Sequence, residues 1–600
     1  MNDFKMSVHK TRLKLRRKMR RQRRNVEGIT EQADDSLNRL FFKRVGRLQN
    51  VRRFTAGWIL FVAFIGIGAG LQVRGLDSFY LRSEPTTGGV HREGIIGTFT
   101  TASPLFATTP VDSAVSELVF DGLFRLSPAG ELEPALAESL TTDITGTVYT
   151  VVLKPEASWH DGESVTAEDV VFTYEKIQDE ATRSPFRSSW IDVEVDAVDD
   201  TTVTFTLPNK LSSFEYSLIN GIVPEHVLSA TPSENLRSSI FNTVNVVGSG
   251  QFLYSGVEVV GNNIDDRQER VTLTTNDEYH SVIPGMDGIV FRTYRAEEAM
   301  IKDFENKVIA SMAGLNTIST DLTESEGVET FSTPLSSAVM LFFNTSNELL
   351  ADRELRRALV YATDTDELRR SIEYQLLEVD SPFLKSQFAY NEDIVQFSYD
   401  IAKAEKLLED TGWLLNSDGI REKDGKLLQF RLVSQSLTEY ASIVQKLQES
   451  WSEIGVQIDA VLQPEQDIQS GAIARHDYDM LLYGISIGPD PDVFAYWHSS
   501  QADLQQQTRL NLSEYSSKTA NESLEAGRTR EGNDLRRAKY EPFLEAWQSD
   551  APAIALYQPR FLYVVQGTFE GYRSGQFSNG VDRFYSVANW MIRNEKNIKQ

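Results

Sequence analysis

The chain has 600 residues, no cysteine, a formal net charge of −26, and the 41% hydrophobic content of an ordinary folded protein. This length exceeds one hydrophobic core, so we expect two or more domains or interleaved lobes. The absence of cysteine excludes disulfides, a thiol nucleophile, thiolate metal sites and an acylated cysteine anchor. The seven histidines are far apart and show no metal-ligand spacing, so the sequence predicts neither a metal site nor a cofactor.

The N-terminal segment, residues 1–53, is strongly basic, with 17 Lys or Arg against 5 Asp or Glu, whereas the rest of the chain carries a net charge of −38. Its tract Lys10–Asn25 could bind phosphates of nucleic acid or of lipid. The tract has no aromatic residue for base stacking, and a membrane segment follows it, so we predict anionic lipid as its partner and no nucleic acid.

The predicted membrane segment is Phe54–Val73, twenty residues without a charge between Arg53 and Arg74. At about 1.5 Å per residue, such a helix spans a hydrocarbon layer roughly 30 Å thick. A cleaved signal peptide is the alternative, but the basic region before it and the apolar core are both longer than signal peptides have. We therefore predict a single-pass protein of the cell membrane, with its N-terminus in the cytoplasm and its acidic bulk outside. Residues 74–93, polar and rich in Gly and Thr, are predicted to be a linker.

Helix and strand patterns alternate through the external part. Val148–Lys154 is a β-branched strand pattern, and Thr166 precedes a helical pattern with Glu168 and Asp169 in its first turn. Further helices are predicted within 352–364, 398–413 and 443–454, with strands at 456–462 and 476–484. This alternation predicts an α/β architecture with mostly buried sheets.

The stretch Gly484–Gly488 fits G-x-S-x-G, a pattern that places a nucleophilic serine, here Ser486, in many hydrolases. Such a serine needs a helix directly after it, and Pro489 and Pro491 prevent one. The expected order of catalytic partners leaves only His498, which is too close in the sequence. We therefore predict that the protein is not an enzyme. His160-Asp161, which could also form a catalytic pair, lies in a predicted turn.

The order of the motifs resembles the bacterial extracellular solute-binding proteins of the peptide/nickel type (family 5), the receptors of ABC importers. The resemblance begins with "VFDGLFR", "LEPALAESL" and "WHDGESVTAEDVVFTYEKI", continues through "GSGQF" and "LFFNTSNELLADRELRRALVYATD", and ends with "SYDIAKAEKLLEDTGW", "YDMLLYG", "GPDPD" and "DAPAIALY". It covers roughly residues 94–565. Residues 1–90 lie outside it and lack the lipidated cysteine that is usual in the family.

The resemblance implies a two-lobed, periplasmic-binding-protein-like (type II) α/β fold with an extra inserted α/β domain, which the transmembrane helix predicted above would precede. Its solute-binding domain would be residues 94–600. Lobe one would comprise residues 94–118, 243–335 and 556–600, the inserted domain 119–242, and lobe two 336–555. The ligand would lie between the lobes.

The resemblance also implies candidate ligand-binding residues. In peptide-binding relatives the loop that matches residues 484–492 holds a peptide α-ammonium with an aspartate that follows a tryptophan. Here Ile485 occupies the tryptophan position and Gly488 that of the aspartate, so either Asp490 replaces the acid or it only caps the loop. The other candidates, each with a core or hinge role as the alternative, are Thr100, Thr101, Tyr483, Trp497 and Tyr557.

The function implied is capture of a solute, expected to be a short peptide, and its delivery to an ABC permease in the membrane. The alternative is a surface sensor or structural binding protein with the same fold and no role in transport. The sequence leaves the identity of the ligand, the permease and the oligomeric state open.

Overall fold

The computed structural model describes residues 52–598, apart from 262–266, 316–317, 373–375 and 503–508. The chain divides into a small compact unit, within residues 1–84 and 595–600, and a large one, Pro85–Asn594. The predicted basic segment lies outside the described residues, except for its last two positions.

The small unit contains a helix of 29 residues, Arg52–Tyr80, which includes the predicted membrane segment. Apolar side chains such as Phe54, Ile59 and Phe64 are exposed along it. Within the described residues, however, no helix combines the length and the apolar character needed to cross a membrane. The predicted membrane span therefore gains no support from the structure.

The predicted linker, residues 74–93, is regular structure instead. The helix continues to Tyr80, and strands follow at Leu81–Thr86 and Val90–Ile96. Polar residues of the second strand, His91 and Glu93, are buried in a network in which Arg583 donates to Glu93 Oε1 at 2.5 Å from Nη2. A buried charged pair leaves no apolar alternation for sequence reasoning to detect, which is why the strand Val90–Ile96 was not predicted.

Three sheets organise the large unit. The first has seven strands, in the order Val328–Pro334, Arg560–Gln566, Ser311–Leu315, Val90–Ile96, Gly288–Tyr294, Gln268–Thr275 and Phe252–Val260. The second has six strands, in the order Leu377–Glu378, Ala553–Gln558, Ser337–Phe343, Met480–Ser486, Gln429–Gln435 and Gln457–Gln463. The third has four strands, in the order Ala137–Thr142, Val148–Leu153, Thr202–Thr206 and Glu194–Asp199.

The strands of these three sheets lie mainly within the ranges predicted for lobe one, lobe two and the inserted domain respectively, and these names are kept for them. Smaller sheets pair Leu81–Thr86 with Arg593–Ile598, Phe124–Leu126 with Leu132–Pro134, and Arg421–Lys423 with both Leu414–Leu415 and Lys426–Leu427. The helices of the large unit are Pro110–Val119, Ala167–Gln178, Glu225–Leu228, Glu297–Glu305, Thr320–Thr323, Arg353–Tyr361, Thr365–Arg370, Ile401–Asp410, Thr438–Glu453, Glu465–Asp467, Phe494–Trp497, Lys518–Arg528 and Asn533–Asp550. The exact residue boundaries of the lobes remain a proposal.

The central strand of lobe two, Ser337–Phe343, shows why this sequence makes a doubly covered sheet. Val339, Leu341 and Phe343 belong to one buried cluster, and the alternating residues Ala338, Met340 and Phe342 belong to another. Successive side chains of a strand point to opposite faces, so a continuous apolar run requires helices on both sides.

The local predictions are largely confirmed. Thr166 and Asp169 form a capping box at the start of helix Ala167–Gln178, which follows strand Val148–Leu153. Asp352 caps helix Arg353–Tyr361, and Asp400 caps helix Ile401–Asp410. His160 and Asp161 lie in the predicted turn, where Asp161 contacts His226 at 2.8 Å.

Candidate functional site

Two adjacent chain segments connect the lobes. Strand Val328–Pro334 of lobe one leads into Ser337–Phe343 of lobe two, and Ala553–Gln558 of lobe two leads back into Arg560–Gln566 of lobe one. The Leu335 amide donates to the Pro559 carbonyl at 3.0 Å, and Gln558 Nε2 donates to the Leu335 carbonyl at 2.7 Å. A pair of short, hydrogen-bonded connections is a hinge about which two lobes can open and close.

The strand ends place the cleft beside this hinge. In lobe two, strands Gln429–Gln435, Gln457–Gln463 and Met480–Ser486 run parallel, and Ser486 pairs with Ser337, the first residue after the hinge. In lobe one, Val90–Ile96 runs parallel to its neighbours and ends near the other side of the hinge. Ligands of open α/β sheets bind outside the carboxyl ends of strands, so the facing edges of the two sheets form the candidate site.

The lobe-one candidates follow the end of strand Val90–Ile96. Thr100 is exposed, and its amide and Oγ1 donate to Asp112 at 2.7 and 2.6 Å. Thr101 is buried, and its amide donates to the same carboxylate at 3.1 Å. Asp112 lies in the first turn of helix Pro110–Val119, so this helix fixes the loop. Thr100 is therefore available to a ligand, whereas Thr101 mainly supports the loop.

The lobe-two candidates Tyr483 and Ile485 lie on strand Met480–Ser486, and Gly488 lies in the loop that follows. Tyr483 donates from its hydroxyl to Glu465 Oε1 at 2.9 Å, whereas Ile485 is buried in the core. Gly488 has a φ of +80°, and a Cβ at this position would meet no atom within 4 Å. The position that the resemblance matches to an acid is thus open space here.

Asp490 is engaged by a buried cation. Arg536 forms a bidentate pair with it, Nη1 to Oδ2 at 2.6 Å and Nη2 to Oδ1 at 2.7 Å. Their side chains are only 5% and 9% exposed. Asp492 is paired as well, with Arg528 Nη2 at 3.0 Å from its Oδ2. Both acids of the loop are therefore neutralised within the protein, which favours the structural role of Asp490.

Trp497 is a core residue rather than a cleft residue. It is fully buried, and its ring packs 5.8 Å from the rings of both Phe342 and Trp547. Helix Phe494–Trp497 turns this side chain away from the loop into lobe two, which the sequence spacing did not reveal. Tyr557 is also buried, at the hinge end of its strand, where its hydroxyl donates to Glu439.

Sequence reasoning missed an acidic and aromatic wall on the cleft edge of lobe two. Glu439 and Glu465 begin the helices that follow two of the parallel strands, and each accepts a hydrogen bond from a tyrosine, Tyr557 and Tyr483 respectively. Burial, followed by the charge of Glu465, raises the pKa of Tyr483 well above its usual value. The signal that could have found these acids is their position one or two residues into a helix after a predicted strand.

Within the part of the chain that the structure describes, Ser486 contacts no catalytic partner of the kind a hydrolase needs. Its carbonyl accepts from the Tyr496 hydroxyl at 2.6 Å, and no helix follows it directly. The ring nitrogens of His498 contact Ser500 Oγ at 2.8 Å and Glu525 Oε1 at 3.1 Å instead. Among the residues described, no cluster of acids and histidines is arranged to hold a metal ion.

Comparisons with known proteins agree with this two-lobed fold. A model of "Bacterial extracellular solute-binding proteins, family 5 Middle" matches residues 131–506. The oligopeptide-binding protein AppA of Bacillus subtilis is 26% identical over 510 residues, which cover 82% of this chain and 90% of AppA.

Two solved structures have the same fold. The ABC transporter substrate-binding protein CtaP of Listeria monocytogenes has a TM-score of 0.72 at 25% identity, over 84% of this chain and 100% of CtaP. NikZ of Campylobacter jejuni, in complex with Ni(L-His), has a TM-score of 0.71 at 25% identity, over 84% of this chain and 99% of NikZ. These relatives are solute-binding proteins and not enzymes, which confirms the prediction made from the loop at Ser486.

Proposed function

Because the chain belongs to the bacterial extracellular solute-binding proteins of family 5, we propose that it captures a solute between its lobes and delivers it to an ABC permease. The proposal rests on the two hydrogen-bonded hinge segments at 334–337 and 558–560. The parallel strands of both sheets have their carboxyl ends beside these segments. A solute that contacts both lobes binds the closed form better than the open one and so shifts the population toward closure. The permease would then recognise the closed form.

We propose that the solute is a short peptide whose N-terminal ammonium is not held by the loop 484–492. AppA is an oligopeptide-binding protein by name, whereas NikZ is described with Ni(L-His), so peptide is one ligand class among relatives. Gly488 offers no carboxylate, and Asp490 is bound by Arg536. An ammonium that loses water must gain an anion, so a peptide held here would bind through its backbone or its side chains.

Membrane attachment is a further proposal, and it rests on the sequence. The charge-free run Phe54–Val73 and the basic residues before it support an anchor that keeps the binding domain near its permease. Fractionation of cells that express the full chain or a variant without residues 54–73 tests it. Equal distribution of both proteins between membrane and soluble fractions would disprove the anchor.

A transport assay separates this proposal from that of a surface sensor or structural binding protein. Uptake of labelled short peptides is measured in cells with and without the gene, and with the gene restored. Transport predicts that uptake falls on deletion and returns on restoration. Unchanged uptake of every peptide tested, together with measurable peptide binding by the purified chain, would favour the sensor.

A further inference from the structure

A cavity of about 550 Å³ lies between the inserted domain and lobe two. Some of the residues within 188–193 and 207–217 of the inserted domain line it, and lobe two contributes Phe494 and the end of helix Lys518–Arg528. Ligand pockets of proteins commonly measure about 300 to 1,000 Å³, so the space is large enough for part of a solute.

Hydrogen bonds close the cavity along one side. The Ser212 amide donates to the Arg528 carbonyl at 2.9 Å, and Ser212 Oγ donates to the Arg530 carbonyl at 2.5 Å. Lys210 pairs with Glu531 beside them. We call this set, residues 210–213 with 528–531, the insert contact. The cavity is thus bounded on this side by the contact between the inserted domain and lobe two.

The cavity adjoins the ligand loop. Asp492, the last residue of that loop, accepts from Ser213 Oγ at 3.3 Å and pairs with Arg528 at 3.0 Å. The Arg528 guanidinium lies over the Phe494 ring, 4.1 Å from its centre, and both residues line the cavity. A solute that follows the loop toward Asp492 would therefore reach the cavity next.

The lining indicates the chemistry of the occupant. Its apolar side chains include Ile191, Val193, Leu207, Leu211, Phe214 and Phe494. Leu207 and Phe214 form a buried floor. Of the charged lining residues, Arg528 pairs with Asp492 and Lys210 with Glu531, whereas no described Lys or Arg pairs with Asp192 or Glu525. These two acids disfavour an anionic occupant, and the buried apolar floor favours an apolar one, which gains from burial.

From these observations we infer that the cavity is a compartment of the ligand site that takes an uncharged, apolar segment of the solute. The inference rests on the proposed function and deepens it, because it gives the inserted domain a part in ligand selection. An occupant that touches both the inserted domain and lobe two also favours the insert contact, so filling the compartment favours closure.

The experiment uses the natural lack of cysteine in the chain. Ser217, half-buried in the cavity lining, is replaced by cysteine, and Ser229, exposed elsewhere in the inserted domain, is the matched control. Each full-length variant, held in nanodiscs, is modified with the uncharged apolar reagent N-phenylmaleimide. Binding of capped leucine-rich peptides, and of glutamate-rich and lysine-rich peptides of the same length, is measured by calorimetry before and after modification.

We expect unmodified Ser217→Cys to bind leucine-rich peptides most tightly and modification to weaken that binding by about tenfold or more. Modified Ser229→Cys should bind them as before, and bound leucine-rich peptide should slow the modification of Ser217→Cys alone. Unchanged peptide binding after modification of Ser217→Cys would overturn the compartment and leave the proposed function standing. If the unmodified chain binds no peptide and the peptides protect neither cysteine, the proposed capture of peptides fails, and the inference fails with it.

Discussion

At the scale of single residues, the loop 484–492 shows both what the sequence could predict and what it could not. The absence of an acid at Gly488 was predictable, because it depends on one position. The role of Asp490 was not, because its partner Arg536 lies 46 residues away on another helix. For Trp497 the sequence left a cleft role and a core role open, and only its packing against Phe342 and Trp547 shows that it is buried.

Replacement of Asp490 tests whether this acid holds the fold or the ligand. Asp490→Asn leaves the buried guanidinium of Arg536 without its anion, which commonly costs about 3 to 5 kcal/mol of unfolding free energy. Chemical unfolding should show this loss, and Asp534→Asn, at a side chain that is 99% exposed, should show almost none. Peptide affinity per folded molecule should stay unchanged in both variants. A large loss of affinity with normal stability would instead assign Asp490 to the ligand.

The buried carboxyl of a second residue, Asp121, makes the stability of the fold depend on pH. Burial raises the pKa of Asp121 to about 7, and its carboxyl accepts from the Tyr279 hydroxyl at 3.3 Å. His280, whose pKa burial lowers to about 4, lies 3.8 Å away, and Glu117, Arg125 and Lys154 also act on the site. The folded chain binds the proton of the Asp121 carboxyl more tightly than the unfolded chain does, so protonation stabilises the fold. This contribution to the free energy of unfolding is complete below about pH 4 and is lost as the pH rises through about 7.

Asp121→Asn removes this dependence while it keeps the shape of the side chain. Relative to wild type, the variant should therefore be more stable at pH 8 than at pH 5, by an amount on the order of a few kcal/mol. Thermal unfolding across this range measures the difference, with Asp277→Asn, at an exposed position, as the control. Parallel pH profiles for wild type and Asp121→Asn would contradict the assignment.

At the scale of elements, most helices and strands followed from capping residues and periodicity. Thr166, Asp352 and Asp400 each precede a helix that begins where their sequence context predicts. The strand Val90–Ile96 was missed because its buried residues include His91 and Glu93, whose partners are supplied by Ser311, Tyr563 and Arg583. Local pattern thus predicts elements stabilised by apolar burial and fails where distant polar partners make the burial possible.

The insert contact, 210–213 with 528–531, predicts a measurable effect on closure. Ser212→Ala removes the hydroxyl that donates to the Arg530 carbonyl, a hydrogen bond between the inserted domain and lobe two, so these two parts should separate more often. Spin labels on cysteines introduced at the exposed positions Asp196 and Glu522 report the distance by double electron–electron resonance. The distribution should broaden toward longer distances in Ser212→Ala.

The matched control for that measurement is Arg530→Ala. Arg530 contributes its main-chain carbonyl to the contact with Ser212, so loss of its side chain should leave the distance distribution as in wild type. Identical distributions for Ser212→Ala and wild type would show that the Ser212 hydroxyl does not hold the two parts together.

At the scale of the whole molecule, the two-lobed architecture came from the order of motifs and not from any single one. The order predicted crossings between the lobes at about residues 335 and 555, and hydrogen bonds join Leu335 to Gln558 and Pro559 close to these positions. What the sequence did not reveal is the cavity behind the ligand loop. It depends on contacts between residues more than 300 positions apart, such as Ser212 and Arg530.

The central claim is that the large unit holds a solute between its lobes. Native mass spectrometry of the purified full chain, before and after exposure to a mixture of short peptides, tests it most directly. The expected result is a one-to-one complex with a solute in at least one of the two preparations. A chain that stays empty in both preparations would contradict it.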